Sequence, residues 1–510
     1  MEHPAANSGT RRTVAMRHRQ MVFALVAFGG LVLLAGALLW VHVGWGTPRT
    51  LAVPESDVAA DQLLEEVAAA EGGAAPRGAE AEEDAAPSRA HEPLRVYIAP
   101  VPAEFALESD EFLFKLGWTL HLPDESGYGP PLDGANPHYR ATGQFAGEVL
   151  FRNVLASSPL RVDSAEEADI VWVPVGFGLM LKARKVRKSG EFVRVRIERF
   201  FNQTRDDPTF LPYLHEKPHV IVIGRIASDF LPNFAYGVAS LNHTQARHFL
   251  YLTIEQPAVA AIRDASPPML TIPYPSAVHY GPKWWPRFSK DKVRQLVADK
   301  KVPVFTSFAP RFQERKLLVL ECHSLGPRRC QFQRVSGVAR KYNVREYWRR
   351  EEATKQAWVS YQARGDSPTR RSIYEAFLTG TVPAVVNRTV LPTLPFADVL
   401  DYRKLVVVAD PVDPDVPAAA WNSSAPITSL VKYVEGHTAL LANMTEAVLR
   451  VRHLFQYSLA PHFDLVTPAR RHLVEDDDDA FTATLKALMR VFCAGPVRPG
   501  FPTLPRSRCS

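Results

Sequence analysis

"ARGDSPTRRSIYEAFLTGTVPAVV", residues 363–386, reads as loop, helix, turn and buried strand in a single pass. Ser367 is a good N-cap, because its side-chain oxygen can accept from a first-turn amide. Pro368 suits the first helical position, where no N–H is needed. Gly380 stands where a helix stops, and the apolar "VPAVV" after it has the composition of a buried strand. This reading puts Arg370 and Arg371 in the first turn, at the positive end of the helix dipole, where cations are mildly unfavourable. A bound anion resolves the conflict. A helix start after a strand or loop presents free amides, and guanidinium groups suit bidentate phosphate contacts. Asp366 and Ser367 can cap the helix or touch such a ligand. Glu375, four residues after Arg371, is either half of a helix ion pair or an acceptor for ribose hydroxyls. No GxxxxGK[ST] occurs, so the segment is not a P-loop.

Working outward, "LRVYIAPV" (94–101), "SAEEADIVWVPVGFG" (164–178), "KPHVIVIGR" (217–225) and "KVPVFTSFA" (301–309) read as apolar strands. "ATGQFAGEVLFRNVLAS" (141–157) has helical spacing, with Phe145, Val149 and Val154 as its core positions. Strands that are apolar throughout and alternate with helices indicate an α/β protein with parallel sheets covered on both faces. The strand pattern restarts near residue 300, which predicts two similar halves about a cleft: 93–300 and 301–510. A long helical tail, residues 427–458, is expected to pack on the second half. The segment 181–200 holds eight Lys or Arg residues and reads as a solvated helix face or a contact for anionic acceptors or headgroups. "EDDDD" (475–479) reads as a solvated loop.

At 510 residues the chain is too long for one core. A net charge of +6 fits anionic ligands without selecting one, and no nucleic-acid-binding motif accompanies it. Residues 21–45, "MVFALVAFGGLVLLAGALLWVHVGW", contain no Asp, Glu, Lys or Arg and are long enough to span a bilayer as a helix. Arg11, Arg12, Arg17 and Arg19 precede this run and only Arg49 closely follows it, which leaves 1–20 as a cytosolic tail and sends the body into the lumen. The run exceeds a typical signal-peptide core, so a signal anchor is favoured over a cleaved signal. Residues 46–92, rich in Ala, Glu, Pro and Gly, read as a flexible stem. Sequons at Asn202, Asn242, Asn387, Asn422 and Asn443 agree with a luminal body. So does an even cysteine count. Of the three connectivities available to four cysteines, sequence proximity favours Cys322–Cys330 and Cys493–Cys509. The cysteine spacing does not suit zinc, and no metal site is expected.

The segment "RGDSPTRRSIYEAFLTGTVPAVV" followed by "LPFADVLDYRKLVVV" resembles the signature of exostosin-like glycosyltransferases, family GT47. "YRATGQFAGEVLFRNVLASSPLRVDSAEEADIVWVPV" (139–175) is similar to the helix, loop and strand of that family's first half, and "TIPYPSAVHY" (271–280) to its Pro-Tyr loop. The resemblance covers most of residues 94–460. It implies a GT-B type fold, two Rossmann-like domains facing a cleft, with the nucleotide sugar held by the second. It also implies inversion at the anomeric carbon without an essential metal or other cofactor. The donor would be a nucleotide sugar such as a UDP-sugar, and the acceptor a glycan or glycoprotein. By motif position Arg370 and Arg371 face the diphosphate, Gly365, Asp366 and Ser367 form its loop, and Glu375 lies near the ribose. Anchor, stem and luminal body match a single-pass type II Golgi membrane protein, with homo- or hetero-oligomers of glycosyltransferases among its partners.

Many relatives carry a His-Asp pair after the strand matching "HVIVIGR". This chain reads "GRIASDF" there, without the His. Asp229 and His279 are the general-base candidates in its place. The departure keeps a second reading open, a non-catalytic exostosin-like subunit that anchors or stabilises a partner transferase.

Overall fold

The computed structural model describes residues 92–102, 104–106, 126–133, 136–180, 190–226, 244–257, 260–281, 288–335, 344–364, 369–409 and 422–509. The expected anchor at 21–45 and nearly all of the stem lie outside the described residues. So do residues 181–189, Asp229, Asn242, Gly365, Asp366 and Ser367. Among the described residues no helix is long and apolar enough to cross a membrane. No three His, Cys, Asp or Glu side chains among them are grouped to hold a metal ion.

The first half runs β1 (Val96–Ile98), a hairpin of β2 (Pro131–Asp133) and β3 (Asn136–Arg140), α1 (Gly147–Ala156), β4 (Arg161–Val162), β5 (Ile170–Trp172), α2 (Gly190–Asp206), β6 (His219–Ile223), β7 (Phe249–Thr253), α3 (Ala260–Ala265) and β8 (Met269–Thr271). Its six-stranded sheet has the order β4-β1-β5-β6-β7-β8, with every neighbouring pair parallel. The second half runs α4 (Lys290–Ala298), β9 (Val302–Phe308), α5 (Gln313–Leu325), β10 (Cys330–Arg334), α6 (Val344–Lys355), β11 (Ala357–Gln362), α7 (Arg371–Leu378), β12 (Val382–Val385) and β13 (Val407–Val408). Its five-stranded sheet, β10-β9-β11-β12-β13, is also parallel throughout. Every residue of β6 and β7 is buried. A strand covered on both faces has no solvent side, which is why "HVIVI" shows no alternation.

Of the expected core positions, Val149 is buried and Phe145 and Val154 pack partly buried against the core, while Leu150, Phe151 and Leu155 of α1 are fully buried beside them. The tail differs. It breaks at His437 into α8 (Pro426–Gly436) and α9 (Thr438–Val451), and both sit on the second half. The chain from residue 456 onward then returns to the first half. Val466 accepts from the Leu94 amide at 2.9 Å, Ser458 from the Tyr128 hydroxyl at 2.5 Å, and Phe151 packs on Tyr457 and Phe481. Arg508 closes the return. Its Nε and Nη2 hold the two oxygens of Asp169 at 2.9 and 2.7 Å, both side chains 4% exposed. A fork of this kind is among the stronger hydrogen-bonded ion pairs.

"EDDDD" is not a solvated loop in its last two residues. Asp478 is buried against Lys486 at 2.9 Å. Asp479 caps α10 (Ala480–Cys493) in a capping box with Thr482 and also accepts from the Ser458 amide. A helix start buried under the returning tail needs its amides satisfied from within, and these carboxylates do that. Both favoured disulfides are present. Cys322–Cys330 joins the end of α5 to β10, and Cys493–Cys509 ties the chain end to α10.

Candidate functional site

The chain just after β7 meets the chain that follows β11, where Glu255 accepts from Thr369, and the carboxyl ends of open α/β sheets are where such folds bind ligands. From the second half, β11 delivers Ala363 and Arg364, and the chain is described again at Thr369. Helix α7 starts at Arg371, with Arg370 as an extended N-cap (φ −153°, ψ 149°). The expected start at Ser367–Pro368 is therefore three residues early. Tertiary contacts hold the residues just before the helix: Arg370 Nη1 donates to the Ala363 carbonyl at 2.8 Å. The Thr369 amide and hydroxyl both donate to Glu255 Oε2, at 3.1 and 2.5 Å. The Cβ of any residue at Gly380 (φ +70°) would come within 2.5 Å of Leu449 Cδ2, so the stop at the far end of α7 requires glycine.

Arg371 bridges the halves. Its Nη1 donates to the Thr142 carbonyl at 2.9 Å, and its Nε sits 2.9 Å from Glu375 Oε1. Arg350 of α6 approaches the same oxygen at 3.3 Å. Burial would raise the Glu375 carboxyl, but Arg350, Arg371 and Arg370 outweigh it and hold the carboxyl below the usual range. The helix ion pair between Arg371 and Glu375 is thus formed. Arg315, buried at the start of α5, donates to the Ala309 carbonyl at 3.0 Å and the Arg364 carbonyl at 2.8 Å, tying the ends of β9 and β11 together. Three guanidinium groups, Arg315, Arg370 and Arg371, gather at this sheet end.

The first half brings one buried carboxylate, Glu255, to the start of α7 and keeps a second, Glu148, within its own loops. Glu255 follows β7 and is 3% exposed. Glu148, in the first turn of α1, accepts from the amides of Leu179 at 3.2 Å and Gly224 at 3.1 Å. Burial pushes its carboxyl up to about 8 against those amides and the Arg225 charge. Any side chain at Gly178 would collide with it, which fixes Glu148 as a brace between the loops after β5 and β6.

His279 does not reach the junction as a base. It has no exposed surface. Its Nδ1 donates to the Tyr457 carbonyl at 2.7 Å, and its Nε2 meets the Thr142 hydroxyl at 2.6 Å. Burial, with the Arg371 and Arg140 charges, lowers it to about 3. The ring positions the Thr142 backbone that receives Arg371. Of the expected site residues, Arg370, Arg371 and Glu375 come together. Gly365, Asp366, Ser367 and Asp229 lie outside the described residues. Glu255, Arg315 and Arg350 were missed by the sequence reading, because each gains its meaning from a partner distant in sequence. Asn387, Asn422 and Asn443 are exposed and Asn202 is half-buried.

Two parallel sheets tied together by Arg371 and Glu255, with Arg315, Arg370 and Arg371 at the end of the second sheet, define an α/β protein with a basic junction between its halves. The exostosin GT47 domain matches residues 90–421, and the chain belongs to that family. It is 23% identical over 314 residues to the probable xyloglucan galactosyltransferase GT15 of Arabidopsis thaliana, covering 58% of this chain and 63% of that protein. It is also 23% identical over 276 residues to the xyloglucan-specific galacturonosyltransferase 1 of Arabidopsis thaliana, covering 51% of this chain and 38% of that protein. The chain thus spans less than two thirds of either relative. Among solved structures, sucrose-phosphate synthase from Thermosynechococcus elongatus is similar with a TM-score of 0.29 and 11% identity, over 70% of this chain and 94% of that one.

Proposed function

We propose that the chain is an inverting glycosyltransferase of GT-B type that moves a sugar from a nucleotide sugar, in the first instance a UDP-sugar, to a glycan acceptor. The observation that carries this reading is the gathering of Arg315, Arg370 and Arg371 at the start of α7, opposite Glu255. In the reaction the acceptor hydroxyl oxygen attacks the anomeric carbon and the bond from that carbon to the diphosphate breaks. The leaving diphosphate carries away the electron pair, and the arginines and the α7 amides stabilise its charge. The hydroxyl proton passes to a carboxylate, and Glu255 is the described group best placed to take it. Arginine supplies the countercharge, so no divalent ion is essential on this reading.

The named acceptor of both relatives makes a xyloglucan oligosaccharide the first acceptor to test. Two disulfides and three exposed sequons support a luminal body. With the apolar run 21–45 they support a single-pass type II protein of the Golgi membrane. The test is UDP binding by the full chain. Replacing Arg370 and Arg371 with Ala removes two charge-assisted contacts, each worth about 1.5–3 kcal/mol, so affinity falls by roughly a hundredfold or more. Unchanged affinity would refute the site. Tight UDP binding together with no transfer to any acceptor would favour the non-catalytic subunit instead.

A further inference from the structure

Beside Glu375, on the flank of α7 away from its start, lies a cavity of about 210 Å³. It is walled by α6, whose Tyr347, Arg350, Glu351, Thr354 and Lys355 fall at helical spacing on one face, by Tyr139 and Tyr280 from the first half, and by Phe288 just before α4. The volume is below the roughly 300–1,000 Å³ of pockets for drug-sized molecules, so the space suits one ring. The walls are aromatic: Tyr139 stands edge-on to Tyr280 with centroids 5.9 Å apart and 6.4 Å from Tyr347. Phe288 lies over the Arg452 guanidinium at 4.1 Å.

Glu351 gives the cavity its polarity. Its side chain is 6% exposed. Oε1 accepts from the Tyr139 hydroxyl at 3.1 Å and pairs with Lys355 Nζ at 2.6 Å. Oε2 is buried with no hydrogen-bond partner among the described residues. A buried carboxylate oxygen without a donor is costly, by roughly 1–3 kcal/mol or more, and a ligand donor would recover that energy. We propose that this cavity binds one neutral sugar ring of the acceptor glycan, with ring hydroxyls donating to Glu351 and the C–H face lying on the tyrosines. The acceptor assignment rests on the function proposed above. A uracil ring fits the chemistry less well, since its edge flanks one N–H with two carbonyl oxygens that would face the carboxylate. A sugar offers donors around its whole rim.

The experiment is saturation-transfer NMR on the full chain, with the methyl β-glycosides of glucose, galactose and xylose as probes and UDP affinity measured on the same samples. At least one glycoside binds. Glu351→Gln weakens it by roughly tenfold, the loss expected for one hydrogen bond to a charged group, and leaves UDP affinity unchanged. Tyr280→Phe retains the glycoside and Tyr280→Leu loses it while keeping UDP affinity, which a folding defect would abolish. Glycoside binding that persists when UDP binding fails leaves the cavity standing and removes the donor site. The proposal is overturned if UDP binds and no glycoside does, if uridine displaces the glycoside, or if Glu351→Gln binds it unchanged.

Discussion

The His279 ring is enclosed on all sides, with the guanidiniums of Arg371 and Arg140 nearby, and its placement gives the protein a specific acid sensitivity. Unfolded, such a ring takes a proton near pH 6.5, but here it does so only near pH 3. The unfolded state therefore binds the extra proton between those values, and stability falls as pH drops through that window. His279→Gln has no proton to gain. Its loss of unfolding free energy between pH 7 and pH 5, measured by urea titration, should be smaller than that of the parent by roughly 2 kcal/mol. An identical acid dependence would contradict the buried, neutral assignment. Residues that act through near neighbours were legible in the sequence: Arg371 and Glu375 are one helical turn apart, and their ion pair is present. Glu255 was not legible. Its partner Thr369 is 114 residues away, and no local spacing marks it.

At the scale of elements, the apolar runs that became β5, β6, β9 and β12 were readable because strands buried on both faces carry no polar alternation to confuse them, and β1 was readable as an apolar run although Tyr97 and Ile98 are only half-buried. β7, "FLYLT", has no adjoining Gly or Pro to mark it as a strand, so neither it nor the loop bearing Glu255 stands out in the sequence. The start of α7 was misplaced for a tertiary reason. Ser367 and Pro368 are good local signals, but Glu255 and the Ala363 carbonyl engage Thr369 and Arg370, and Arg370 is extended. The end of the same helix was read correctly, because Gly380 is a local requirement. Gly380→Ala adds left-handed backbone strain of about 1–3 kcal/mol, and it also forces a methyl against Leu449. Its melting temperature should fall by several degrees, and an unchanged melting temperature would show that α9 yields at no cost.

Across the whole molecule, two parallel sheets were foreseeable from the repeat of strand and helix. The path of the last fifty residues was not. Nothing in the local sequence of 456–509 says that it recrosses to the first half, since the buried Asp169–Arg508 fork joins residues 339 apart. That return, with the Thr142–His279–Tyr457 contacts beneath Arg371, ties the first half to the element that carries the arginines. The junction they build is the basis for assigning transfer chemistry to this chain. The most direct test incubates the full chain and its Glu255→Gln variant with a panel of UDP-sugars and a xyloglucan oligosaccharide, with and without chelator, and follows UDP release and product anomer by NMR. One donor should give an inverted glycosidic linkage, undiminished by chelator, with transfer lost and UDP binding kept in the variant. Retention of configuration, a strict metal requirement, or full transfer by Glu255→Gln would contradict the proposed function.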